Sequence, residues 1–292
     1  MRYLLAVICI LAGLTPALAQ TESVVEIDSR DQKVRALLLK PAAPSASVIL
    51  LAGGHGKLDL RPDGMIGWGA GNQLVRTRAA YARAGLVTAV PDIAPDLKTP
   101  SGVVNYYRVN PAHARDIGAL VKYLRSIKAP VIVVGTSRGA ISAANAVAKL
   151  SGAERPDAIV LTAAMLMPVE PKTPSAHMAA GGEPKRLQLP MLVVGHKKDT
   201  CRWTLPASIA AFKTWHERGG GKLDVVMLDG PQGKGDPCEA QAAHGFTGID
   251  GEVVATVADW IRAKTCRRAD LNVDGACRPP RQSARRLPSV QG

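Results

Sequence analysis

Between residues 24 and 264 the chain alternates short runs of Val, Ile and Leu with longer stretches whose apolar positions recur at helical spacing. The runs occupy residues 34–39, 47–51, 86–90, 130–134, 158–161, 190–194 and 223–228. They are continuously apolar rather than alternating, which is what strands need when both faces of their sheet are covered, so a mainly parallel sheet is expected. Helices are predicted over 73–83, 112–127, 139–150, 206–218 and 251–264. In the second of these, Ile117, Leu120, Val121 and Leu124 fall on one face. Strand, helix, parallel strand is the repeating unit of a doubly wound α/β fold with helices on both faces. No internal repeat or second domain is evident. The Pro-, Gly- and Ala-rich stretch 167–188 reads as a loop too short to form a large lid.

The ends of the chain read differently. Met1-Arg2, an apolar run from Leu4 to Leu14 and the small-x-small site Ala17-Leu18-Ala19 have the order of a secretory leader over residues 1–19. The expectation is therefore an exported protein, periplasmic or secreted, with one domain over 20–264. No later apolar run is long enough to span a bilayer, so no stable membrane insertion is expected. Residues 265–292 hold six arginines against two aspartates among Pro and Ser, and composition predicts a poorly ordered basic tail. That is +4 of the formal charge of +13. The rest is spread without the aromatic interleaving of a nucleic-acid platform, so no nucleic-acid partner is expected. Removing Cys9 with the leader leaves Cys201, Cys238, Cys266 and Cys277. An even number in an exported chain favours disulfides, and without a C-x-x-C pair no metal site is expected.

The run 130–134 leads directly into Gly135-Thr136-Ser137-Arg138-Gly139, and a helical pattern follows at once. This is G-x-S-x-G between a buried strand and a helix, the setting in which a sharp turn presents a serine above the strand ends. On these residues the chain resembles the α/β-hydrolase superfamily, within a branch similar to dienelactone-hydrolase-like esterases. The resemblance covers roughly residues 34–264. It implies Ser137 as nucleophile, an acid after a later strand and a histidine after the last one. Asp199 follows the run 190–194 through Gly195-His196-Lys197-Lys198, and His244 lies in the loop after 223–228. A serine hydroxyl needs a base to take its proton, histidine titrates near neutrality, and a carboxylate fixes the ring's tautomer. The family's oxyanion donors fall on the backbone amide of Arg138 and on that of Gly54 or His55, in the loop Ala52-Gly53-Gly54-His55-Gly56. Ala52 stands where the family often has histidine, which leaves the second donor open by one residue.

The same resemblance places the Asp199 and His244 loops at one end of the sheet. It implies a Cys201–Cys238 disulfide between them, with Cys266–Cys277 as a second pair. His196 is expected to be structural, and His113, His177 and His216 to be solvated. Gly230-Pro231-Gln232-Gly233-Lys234 lacks the spacing of a phosphate loop. Asp270–Gly275 begins like a calcium loop but meets Arg281 at its twelfth position. Gly64, Gly67 and Gly69 form no dinucleotide fingerprint. The reading implied is hydrolysis of a small carboxylic ester through an acyl-enzyme, with no metal or organic cofactor. The site is expected to be rimmed by residues 53–56, Arg138, Trp203 and Met165. Alternatives are a peptidase or amidase on the same three residues, or a non-catalytic exported binding protein that kept the fold. Neither the acyl and alcohol parts nor the oligomeric state is fixed by sequence.

Overall fold

The structure, a computed structural model, describes residues 21–98 and 106–265. The leader, nearly all of the basic tail, Cys266 and Cys277 lie outside the described residues. Eight strands form one sheet: β1 (Glu22–Ser29), β2 (Gln32–Leu39), β3 (Ala46–Leu51), β4 (Leu86–Pro91), β5 (Val131–Thr136), β6 (Ala158–Thr162), β7 (Met191–His196) and β8 (Leu223–Leu228). Their order is β1-β2-β4-β3-β5-β6-β7-β8. The β1–β2 and β2–β4 pairs are antiparallel and all the others parallel.

Seven helices accompany the sheet among the described residues: α1 (Gln73–Arg76), α2 (Arg78–Arg83), α3 (Pro111–Ile127), α4 (Gly139–Lys149), α5 (Ala176–Ala179), α6 (Ala207–Glu217) and α7 (Asp250–Thr265). Successive residues of a strand point to opposite faces, so the apolar runs feed two cores. Val131 and Val133 of β5 join Ile117, Leu120 and Leu124 of α3, Ile141 of α4 and Phe212 of α6 on one face. Ile132 and Val134 join Leu74, Tyr81, Val253, Val257 and Ile261, from α1, α2 and α7, on the other. This is the doubly wound arrangement expected.

Four departures from expectation have physical causes. Strand β1 was not anticipated because it is an edge strand. Among ESVVEIDS only Ile27 and Ser29 are buried, so it shows no apolar run. The predicted helix over 73–83 is broken at Thr77, whose hydroxyl donates to the Gln73 carbonyl at 2.7 Å and competes with the backbone ladder. Helix α7 runs one residue into the segment read as the tail. The stretch 167–188, read as a loop, contains α5 and a 3₁₀ turn (Pro184–Leu187) that place Ala176, Ala179, Ala180 and Leu187 in the core, and it forms no large lid, as expected. Among the described residues no helix is long and apolar enough to cross a membrane.

Strands β3 and β5 are paired in register to their ends, Leu51 opposite Gly135. Both chains turn there, one into the 52–56 loop and the other into α4. The turns press together so closely that a Cβ at position 139 would lie 2.0 Å from the Leu51 carbonyl oxygen, and one at position 135 would lie 2.5 Å from that of Gly139. Gly139→Ala should therefore force the backbone apart and cost about 3 kcal/mol or more. A lower urea midpoint with an unchanged slope is the expected result. A midpoint equal to wild type would show that the turns are not packed in this way.

Candidate active site

Ser137, Asp199 and His244 all follow the C-terminal ends of parallel strands, the edge where open α/β sheets gather their ligands. Ser137 has φ +52°, a left-handed conformation unusual for a residue other than glycine. Its amide donates to the Thr162 carbonyl at 3.0 Å, and its own carbonyl accepts from the amides of Ala140 and Met165, both at 3.2 Å. The neighbouring strand end thus helps to hold the strained turn and leave the side chain partly exposed.

Asp199 is 3% exposed and His244 5%. The His244 Nδ1–Asp199 Oδ2 distance is 3.1 Å. The other carboxylate oxygen accepts from the Cys201 amide at 2.9 Å. Thr204 was not singled out by sequence, yet its hydroxyl donates to Asp199 Oδ2 at 2.9 Å and lies 2.9 Å from His244 Nδ1. Nothing in Asp-Thr-Cys-Arg-Trp-Thr distinguishes that threonine from a solvated one. A carboxylate at Nδ1 favours the tautomer protonated there and leaves Nε2 able to accept a proton. Ser137 and His244 line the same cavity of about 240 Å³. No direct hydrogen bond joins them among the described residues, as is common when no substrate is bound.

The cavity wall includes Gly54, Trp68, Asn72, Gln73, Cys238 and Glu239. Of the residues expected at the rim, Gly54 lines this cavity, and Gly53, His55, Gly56, Arg138, Trp203 and Met165 do not. Met165 is buried in the core, and Trp203 packs against that core beneath the Arg202 guanidinium. Trp68 replaces them. Its ring lies 3.6 Å from that of His55, centroid to centroid, and covers the Cα of Gly54 so closely that a Cβ there would meet it at 2.4 Å. Trp68 belongs to a loop with no periodic pattern, so sequence offered no signal for it.

The loop 52–56 lies against the serine turn, where a Cβ at Gly53 would be 3.0 Å from that of Ser137. Arg138, half-buried, caps the start of α4. His55 Nδ1 accepts from the Lys57 amide at 3.1 Å. Burial, opposed by the Asp59 charge and reinforced by those of Lys57, Arg108 and Arg138, lowers its pKa.

Of the remaining histidines, one matches expectation and three do not. His196 is structural, as expected: it is buried, its Nδ1 accepts from the Lys198 amide at 3.0 Å, and its ring meets Phe246 edge-on. His113 and His216, expected to be solvated, are buried on the inner faces of α3 and α6, and His177 is half-buried against Trp215. Helical context alone does not say which face a histidine takes. Burial first, then the Arg108 and Arg30 charges, pushes His113 down to about 3, so its ring is neutral near neutral pH.

Cys201 and Cys238 form a disulfide with Cα atoms 4.6 Å apart, linking the loop of Asp199 to the one that ends at His244. The histidine loop is also held by Arg76. Its guanidinium donates to the carbonyls of Ala240 at 3.1 Å and Gly245 at 2.6 Å, while pairing with Asp250 at 2.8 Å.

No protein-family model and no curated protein matches the sequence. Solved structures do match. A dienelactone hydrolase of Anabaena variabilis is 17% identical at a TM-score of 0.57, covering 83% of this chain and 97% of its own. An esterase of Pyrococcus furiosus is 14% identical at 0.56, covering 87% and 96%. A Xanthomonas campestris α/β serine hydrolase without a lid is 15% identical at 0.53, covering 83% and 98%. The chain has the α/β-hydrolase fold, in the form that it shares with dienelactone hydrolase.

The disulfide spans 37 positions of sequence. Closing such a loop in the unfolded chain is worth roughly 4 kcal/mol in the chain-entropy model. A Cys201→Ala/Cys238→Ala variant should lose stability of that order in urea, and peptide mapping of the non-reduced protein should join these two cysteines. Mapping that paired Cys201 with Cys266 would refute the bridge.

Proposed function

We propose that the protein is an exported serine hydrolase that cleaves small carboxylic esters through an acyl-enzyme. The observation that carries this reading is the His244–Asp199 hydrogen bond at 3.1 Å, on a histidine that shares its cavity with Ser137. The likeness to esterase and dienelactone hydrolase structures supports a hydrolase at the level of the fold. Export is supported by the leader-like first residues and by a disulfide beside the site.

In this reading Ser137 Oγ attacks the ester carbonyl carbon while His244 Nε2 takes its proton. Asp199 holds the Nδ1–H tautomer and stabilises the imidazolium, with Thr204 anchoring the carboxylate oxygen that faces the ring. The carbonyl oxygen becomes an oxyanion, met by the backbone amide of Arg138 and a second amide from the 52–56 loop. Collapse of the tetrahedral intermediate releases the alcohol, which receives the proton from His244. A water then repeats the sequence in reverse roles, with His244 as base, and frees the acid and Ser137.

A fluorophosphonate probe should label the wild-type protein at Ser137. Ser137→Ala and His244→Ala should each lower ester turnover on the order of a millionfold, and Asp199→Asn by roughly four decades. Circular dichroism should show all three folded. A Ser137→Ala protein that kept more than about a hundredth of wild-type turnover would overturn the assignment.

The cavity is small, near 240 Å³, and Trp68 supplies the large apolar ring of its wall. Drug-sized ligands usually occupy about 300 Å³ or more, so acyl groups of a few carbons fit and fatty chains do not. On a series of nitrophenyl esters, kcat/KM should peak at short acyl chains and fall by octanoyl. Specificity that rose steadily to palmitoyl would refute this preference.

A further inference from the structure

Arg108 is the largest fully buried side chain among the described residues, with 2% exposure, and no carboxylate pairs with it there. A buried guanidinium without a counter-ion is expensive and needs its donors satisfied by other groups. Here Nη2 is met by backbone carbonyls of one loop and Nη1 by Ser142, while Nε is buried without a hydrogen-bond partner. Nη2 donates to Ala52 O at 3.1 Å and Gly54 O at 3.1 Å, with Gly53 O at 3.5 Å. The adjacent Tyr107 hydroxyl donates to His55 O at 3.0 Å. Four successive carbonyls of the 52–56 loop are thus drawn toward one 3₁₀ turn (Tyr106–Val109).

In a trans peptide the carbonyl of one residue and the amide of the next point in opposite directions. Carbonyls turned toward Arg108 and Tyr107 therefore turn the amides of Gly53, Gly54 and His55 away from them. Gly54 lines the cavity with Ser137, and the Cα of Gly53 lies against the serine turn. The arginine is itself held. Nη1 donates to Ser142 Oγ at 2.9 Å, which leaves that hydroxyl's proton for His113 Nε2, also at 2.9 Å. Its charge sits behind the carbonyl ends of the same peptide groups, an arrangement that polarises their N–H ends as donors.

We infer that Arg108 is a positioning residue that, with Tyr107, holds the 52–56 loop by its carbonyls so that its amides face the reacting oxygen. This rests on the hydrolase reading above, but the holding of the loop can be measured without it. Arg108→Lys keeps the charge but offers one nitrogen, which cannot span Ser142 and the loop carbonyls. Its kcat for a short-chain ester should fall about a hundredfold, the scale of one lost oxyanion donor, with KM within about threefold. Affinity for a trifluoromethyl ketone, whose serine adduct carries an oxyanion, should fall by a similar factor. The pH dependence of kcat/KM, which reports the base, should keep its midpoint. Backbone amides of residues 53–56 should exchange with deuterium faster than in wild type.

Arg108→Lys with kcat, ketone affinity and exchange all within threefold of wild type would overturn the inference. If that variant does not fold, Tyr107→Phe, which removes a single hydroxyl, decides. It should weaken kcat and ketone affinity several-fold at constant KM and speed exchange at 53–56, and unchanged values would overturn the inference. A wild-type protein unreactive toward fluorophosphonate and esters would sink the hydrolase reading instead. Exchange at 53–56 alone would then decide whether Arg108 holds the loop.

Discussion

The in-register pairing of β3 with β5 up to Leu51 and Gly135 sets the geometry on which the rest of the site depends. Two parallel strands that end at the same level must send their chains out side by side. One becomes the 52–56 loop and the other the turn into α4. With Gly139 packed on the Leu51 carbonyl, neither turn can shift without the other. The strained φ of Ser137 is held inside that contact, anchored further by hydrogen bonds to Thr162 at the end of β6 and to Met165 just beyond it. A few kcal/mol of backbone strain is tolerable there because sheet pairing and two cores surround it.

Away from that contact, the loops are fixed by buried and half-buried side chains that bind backbone rather than by regular structure. Arg108 gathers the carbonyls of the 52–56 loop, and Arg76 gathers those of the histidine loop at Ala240 and Gly245. Asp199 takes the Cys201 amide and the Thr204 hydroxyl in addition to His244, so the acid is held from two directions. The disulfide then ties the acid loop to the histidine loop covalently. Such bonds reach across long sequence separations, as between Arg76 and Gly245, and each removes freedom from a loop that would otherwise have to be ordered by a substrate.

This division explains what could be read from sequence. Strands buried on both faces announce themselves as apolar runs, and all seven such runs are strands. Edge strand β8, buried only at Leu223 and Leu228, still shows an apolar run, whereas edge strand β1 carries Glu and Asp among its apolar residues and shows none. The setting of Ser137 between strand and helix was legible because a sharp turn under tight packing requires glycine at 135 and 139. Asp199 and His244 were located through strand order, and the structure brings them together. Thr204, Arg76, Arg108 and Trp68 were not legible. Each acts through a contact between distant segments, and the local sequence of each is compatible with a solvated surface residue. The burial of His113 and His216 went unseen for a related reason: the apolar stripe locates a helix face, but a polar residue on that face looks like an exception until its partners are known.

The wall of the cavity and the supports of the site are in part the same residues. Trp68 covers Gly54 and stacks on His55, so the ring that narrows the cavity also bears on the loop whose amides Arg108 directs. Cys238 lines the cavity and anchors the histidine loop. A larger cavity made by trimming Trp68 would therefore loosen the 52–56 loop as well, and in the hydrolase proposed above room for a longer acyl group would come with a less ordered oxyanion site. The 167–188 segment anchors Ala176, Ala179, Ala180 and Leu187 in the core and adds no residue to the cavity wall, so in the hydrolase proposed above the surrounding loops would both select and position the substrate. Small cavity and rigid support follow from one arrangement of contacts.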